Sequence, residues 1–150
     1  MKNTIQIVHR SAAMLAFLLI LSFFVSSLLV EIFGNQQQVL AVKTAIFYAI
    51  WVLIPTMAIT GITGAKMAPN AKSGALGRKK KRMPFVALNG LLVLTPAAIY
   101  LQHLASVGQF DAVFYTIQIA ELVAGLVNLT LMALNIRDAR SLKRPIKAKV

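Results

Sequence analysis

The chain has no cysteine. That excludes a disulfide, a thiolate metal site and a cysteine nucleophile. Charge is scarce as well: 13% of the 150 residues are Asp, Glu, Lys or Arg, about half the roughly 25% usual in soluble domains. Acidic residues are the rarest class, with 4 against 16 basic ones, for a net charge of +12. A balance this basic suggests nucleic acid. The positives, however, lie in the linkers between apolar stretches, as membrane topology requires, so no nucleic-acid partner is expected. No phosphate loop, nucleophile elbow or zinc-protease helix motif occurs, and there is no internal repeat. With no catalytic constellation, no enzyme is expected.

What is present in abundance is apolar sequence: 58% of residues are hydrophobic and the mean hydropathy is +0.73. The pattern predicts an all-α integral membrane protein, a four-helix antiparallel bundle with helices over about 11–33, 39–65, 84–106 and 112–136. These make up one membrane domain over 1–136, with a basic cytoplasmic loop over 66–83 and a basic cytoplasmic tail over 137–150. Gly34 to Gln38 and Gly108 to Asp111 are read as tight turns. Pro55 falls inside the second helix and should kink it. Pro84 suits the first position of the third helix, and Pro96 falls at that helix's centre. The apolar run 11–30 is longer than a signal-peptide core of about 7–15 residues and has no small-x-small site after it, so it is read as a retained helix.

Four spans put the N-terminal arm, the central linker and the tail on one side. Of the 16 Lys and Arg, all but Lys43 fall there. The positive-inside rule then places both termini in the cytoplasm of a bacterial cell, with the chain multi-pass in the cytoplasmic (inner) membrane.

The last span has a polar seam. Gln118, Glu121, Gly125, Asn128 and Asn135 recur at offsets that keep one helix face. A carboxylate near the bilayer centre costs about 3 kcal/mol on insertion scales, so Glu121 should face protein. Counting rise per residue, Glu31, Lys43, His103 and Tyr100 also fall in the outer half, where they can converge with Glu121. Asn89, Pro96, Tyr100 and His103 form a stripe on the third helix. Ser22, Ser26 and Ser27 lie below Glu31, while Thr56, Thr60, Thr63, Gly61 and Gly64 suit close helix packing.

Each polar group has two readings. Lys43 and Glu31 either snorkel to water or form a specific ion pair. Glu121 either handles a proton or ion, or is hydrogen-bonded to Asn128, Gln118 or Tyr100 and fixes packing. Asn89, Asn128 and Asn135 read as interhelical glue, and His103 as a wet, unliganded histidine. Arg78, Lys79, Lys80, Lys81 and Arg82 read as a topology determinant in contact with anionic lipid headgroups. A bis-histidine haem fails on distance, because His9 and His103 fall on opposite membrane faces, roughly 25 Å or more apart. Haem b with a single protein ligand stays open. His103, Glu31 and Glu121 give at most three metal ligands with no spacing motif, so no metal is expected.

The segments His9-Arg10, Phe23-Phe24 through Val30-Glu31, Arg82-Met83-Pro84 with Asn89-Gly90, and Glu121-Leu122 through Asn128-Leu129 to Asn135 and Arg137-Asp138 resemble those of a group of small, four-span bacterial inner-membrane proteins of uncharacterised function. The resemblance covers nearly the whole chain and implies the four-span topology, but no activity. The functional expectation is a non-enzymatic membrane protein, an accessory or interaction subunit of a partner membrane protein or a small homo-oligomer, with a buried polar site around Glu121. The alternatives are a proton- or cation-coupled carrier using Glu121, and a redox subunit holding haem or quinone near His103.

Overall fold

The computed structural model describes residues 2–67, 70 and 73–141. Every long element among them is helical: α1 (Lys2–Phe33), α2 (Gln36–Met67), α3 (Gly74–Asn89), a π-helical turn (Gly90–Leu94), α4 (Thr95–Ser106) and α5 (Ala112–Ser141). With α3, the π turn and α4 taken as one rod, four helices are long and apolar enough to cross a membrane: Asn3–Phe33, Gln36–Met67, Gly74–Ser106 and Ala112–Ser141. Each has 30 to 33 residues. At about 1.5 Å per residue they are longer than the roughly 30 Å hydrocarbon core of a bilayer.

That excess length corrects several expected boundaries. The arm before Ser11 is helical, α2 continues to Met67, and the basic run from Arg78 to Arg82 lies within α3. Once a helix leaves the apolar layer its backbone keeps bonding to itself, and Lys and Arg are good helix formers. Pro84 consequently sits inside α3 rather than at its first position. Pro69, Lys72 and the tail beyond Ser141 lie outside the described residues.

The turns explain how consecutive helices meet. The Gly34 N–H closes α1 on the Val30 carbonyl at 2.9 Å. Asn35 then caps α2 reciprocally: its Oδ1 accepts from the Gln38 N–H at 3.0 Å, and Gln38 Oε1 accepts from the Asn35 N–H at 2.9 Å. The first turn is therefore two residues long, and Gln36 to Gln38 are already helical. At the other turn Gly108 takes a φ of 74°, and Gly108 and Gln109 donate to the Ala105 and Leu104 carbonyls. This is the paired bond pattern that ends a helix with a left-handed residue. Asp111 Oδ1 caps α5, accepting from the N–H groups of Val113 (3.0 Å) and Phe114 (3.2 Å).

α1 packs most extensively on α2, α2 on α4, α3 and α4 on α5, and α5 on α1. The four rods thus close a ring in which α2 and α5 lie across the diagonal. The interior is apolar in three zones. Val30, Val39, Leu101, Leu104, Ala105 and Phe114 fill the end with the two tight turns. Ile46, Ile50 and Ala98 lie inward of them, and Ala16, Ile20, Leu53 and Leu129 form the zone with the Phe17 and Met57 side chains. Outward faces are apolar too, with Leu18, Ile32, Trp51, Leu92 and Ile119 all exposed. In water such a surface would associate; hydrocarbon solvates it.

Candidate functional site

Lys43 lies two turns into α2 and is 0% exposed. Its side chain crosses the centre of the ring toward α5, where Nζ donates to Glu121 Oε2 at 2.7 Å and to Ser27 Oγ of α1 at 3.1 Å. α2 and α5 make no extensive backbone contact; this side chain links them by an ion pair across the ring, alongside the apolar clusters that hold Leu53 with Leu129 and Val39 with Phe114. Gln118, one turn before Glu121 and 2% exposed, donates from Nε2 to the same Oε2 at 3.2 Å. Glu31 of α1 lies within electrostatic reach of both Lys43 and Glu121. Its Oε1 is buried without a hydrogen-bond partner, as is Gln118 Oε1. One ammonium from α2 therefore sits among two carboxylates, an amide and a hydroxyl from α1 and α5. A cavity of about 50 Å3 reaches Ser27 and Glu121, large enough for ordered water.

Of the two readings of Lys43, snorkelling is corrected: the side chain is inside the ring and paired. Tyr100 and His103 do not join it. Tyr100 is 45% exposed and His103 is exposed as well. The reason lies upstream, where the Thr95 N–H reaches back to the Gly90 carbonyl in π register, with the Thr95 hydroxyl on the same carbonyl at 2.9 Å. Pro96 has no N–H and its ring clashes with the carbonyl four residues back, so a wide turn before it relieves the conflict. A π turn takes in one extra residue and rotates the helix beyond it by about 100°. The single stripe expected from Asn89 to His103 is thereby broken: Asn89 points inward, Tyr100 and His103 outward, and Leu101, Leu104 and Ala105 take the interior.

Asn89 belongs to a second interior cluster. Its Nδ2 donates to Asn128 Oδ1 at 2.9 Å and to the Ala124 carbonyl at 2.8 Å. Asn128, 0% exposed, donates to the Val86 carbonyl at 3.3 Å. Gly90 makes room for this contact: a Cβ there would lie 3.0 Å from the Met57 methyl and 3.5 Å from Asn128 Nδ2.

The third cluster lies at the basic end, where the start of α1 meets the end of α2. His9, 3% exposed, places Nδ1 3.1 Å from the Thr60 carbonyl and 3.0 Å from Thr63 Oγ1. Donation to the carbonyl fixes the proton on Nδ1, and Nε2 then accepts from Lys79 Nζ at 2.9 Å. Asp138 on α5 is 4% exposed and receives Arg78 (3.3 Å) and Arg82 (2.8 Å). Of the five expected headgroup contacts, Arg78 and Arg82 thus pair with Asp138 and Lys79 with His9, while Lys80 and Lys81, like Arg78, are exposed.

The roles of His9 and Asp138 were missed in the sequence. The one usable signal was Asp138 as a lone acid among the cations of both linker and tail. Among the described residues no group of three or more His, Asp or Glu comes together that could hold a metal ion. No family model, no curated protein and no solved structure matches the chain.

Proposed function

We propose that this is a multi-pass protein of the bacterial cytoplasmic membrane, with four antiparallel spans and both termini in the cytoplasm. On this reading it acts without catalysis, as an accessory or interaction subunit for a partner membrane protein or as a small homo-oligomer. The observation that carries the reading is the Lys43–Glu121 contact across the ring diagonal. Lys43 with Glu121, and Asn89 with Asn128, bond to one another and join helices, a packing role, which leaves recognition to the outer faces. On α2 that surface includes exposed Ala58, Ile62 and Ala65, in which the two alanines give the kind of small-residue face on which helices approach closely.

The absence of native cysteine makes the test direct. Single cysteines at Asn3 and Ser141 should be labelled only from the cytoplasmic side, and at Gln37 only from the other. Ala58→Cys should cross-link to a second polypeptide or a second copy in native membranes. Reversed labelling overturns the topology, and failure to cross-link at Ala58 or elsewhere along that face overturns the interaction reading.

A second reading rests on Glu31. Its unpartnered oxygen gives the Lys43 ammonium an alternative acceptor, and Glu121, the present one, borders a cavity with room for water. Exchange of the ammonium between two carboxylates is a means of taking up and releasing a proton or cation in a carrier, which with four spans would have to dimerise. It predicts pH-dependent flux in proteoliposomes that disappears in Glu121→Gln; no flux across a broad substrate panel counts against it.

A further inference from the structure

The basic end holds a cleft of about 780 Å3 between α1, α2, α3 and α5. That is within the roughly 300–1,000 Å3 of small-ligand sites. Its wall is apolar, with Met14, Met57, Met83, Val86 and Met132 among the lining residues, and Arg10, Lys79 and Arg140 lie at its edge. Lys79 is held in place by His9, which uses one of its three N–H donors. Gly64 allows this, since a Cβ there would press on His9 Cε1 at 3.2 Å. Asn135, 6% exposed, is part of the wall, and its Oδ1 has no hydrogen-bond partner. A second groove of about 600 Å3 adjoins the cleft on the α1–α5 side, lined by Met14, Phe17, Ala133 and Ile136, with Arg137, Arg140 and Ser141 on its polar side. The two share Met14, Ile136 and Arg140.

We infer that this paired cleft is a binding site for one anionic diacyl phospholipid. The phosphate lies between Arg10, Lys79 and Arg140, and one acyl chain enters each groove. Charge complementarity selects the head: described acids near it are limited to Asp138, already engaged by Arg78 and Arg82. Two grooves with apolar walls that share Arg140 at their junction match a two-chain amphiphile, and flexible methionine walls adapt to irregular chains. A guanidinium pair and an ammonium suit a phosphate diester. The orphaned Asn135 oxygen favours a headgroup that also offers a hydroxyl, as phosphatidylglycerol does. The site differs from general attraction of the basic run to a charged surface, because it draws its cations from three helices.

This inference rests on the membrane reading above, so the two are tested separately. Carbonate extraction of native membranes asks first whether the full chain is inserted; release into the wash overturns the membrane reading. The detergent-solubilised full chain is then titrated with dioctanoyl phosphatidylglycerol, dioctanoyl phosphatidylcholine and glycerol phosphate, and bound lipid is counted by native mass spectrometry. The expected result is one saturable phosphatidylglycerol, at least tenfold tighter than phosphatidylcholine, and no comparable binding of glycerol phosphate. Arg10→Gln with Arg140→Gln should weaken it tenfold or more. Lys66→Gln with Lys81→Gln, which removes the same charge outside the cleft, should leave it unchanged. Ala87→Phe, at an exposed position on the cleft wall, should block it without disturbing the interior. Equal binding of both lipids, equal loss in the two charge pairs, or glycerol phosphate binding as well as the lipid would each overturn the proposal.

Discussion

Removing either member of the Lys43–Glu121 pair should be far more harmful than removing both. Lys43 is 0% exposed, and its partners are Glu121 at 2.7 Å and Ser27 at 3.1 Å. Lys43→Met leaves Glu121 with only the Gln118 amide at 3.2 Å and with Glu31 as a like-charged neighbour. Breaking a buried pair from one side costs about 3–5 kcal/mol, whereas replacing both members by apolar residues is often neutral or stabilising. The single variant should therefore lower the folded-to-unfolded ratio by roughly a hundred- to several-thousand-fold. Glu121→Leu should be the milder of the two, because Glu31 can accept the freed ammonium; adding Glu31→Gln should restore the full loss. Lys43→Met with Glu121→Leu should return to within about 1 kcal/mol of the parent chain, as replacement of a buried pair by apolar residues does. The assay is an equilibrium unfolding titration in mixed detergent micelles, read by near-ultraviolet circular dichroism of the intact chain. If each single variant lies within about 0.5 kcal/mol of the parent, as substitutions away from such features do, the Lys43 side chain reaches water and does not tie α2 to α5.

Single contacts give further expected outcomes. Gly34→Ala should destabilise the α1–α2 junction by about 1–3 kcal/mol, because a Cβ there would meet the Val30 carbonyl at 2.5 Å; amide exchange at Gly34 to Val39 should accelerate. Asn128→Leu should cost about 1–2 kcal/mol in the same titration, since it strips Asn89 of a partner inside the ring. Asp111 is held below the ordinary carboxylate range, first by the Gln109 amide and then by the backbone N–H groups at the start of α5. A depressed acid contributes stability above its unfolded pKa and loses it as pH falls through the folded one. The thermal midpoint should thus drop on acidification below the usual carboxylate range, and Asp111→Ala should lower the neutral-pH midpoint and flatten that acid dependence.

The four helices were legible because each apolar stretch is long enough to span hydrocarbon and is bounded by turn residues. The α5 seam was legible for the same kind of reason: Gln118, Glu121, Gly125, Asn128 and Asn135 share a face by period alone, and all five are buried. Period could not decide Lys43, whose choice between water and interior depends on a carboxylate 78 positions away. The stripe from Asn89 to His103 was misread because one extra residue in a π turn re-phases everything after it. His9 looked like part of a polar arm because hydropathy marks where apolar sequence ends, and a helix does not stop there. The basic run looked free because its partners, Asp138 and His9, lie at the far ends of the chain.

If interior polar pairs hold the helices together, the protein works through what binds its outer faces. Native mass spectrometry of the chain, extracted gently from its own membrane, puts this to the test. The expected spectrum shows a complex with a second polypeptide, or a defined homo-oligomer. A bare monomer across a range of mild extractions would contradict it.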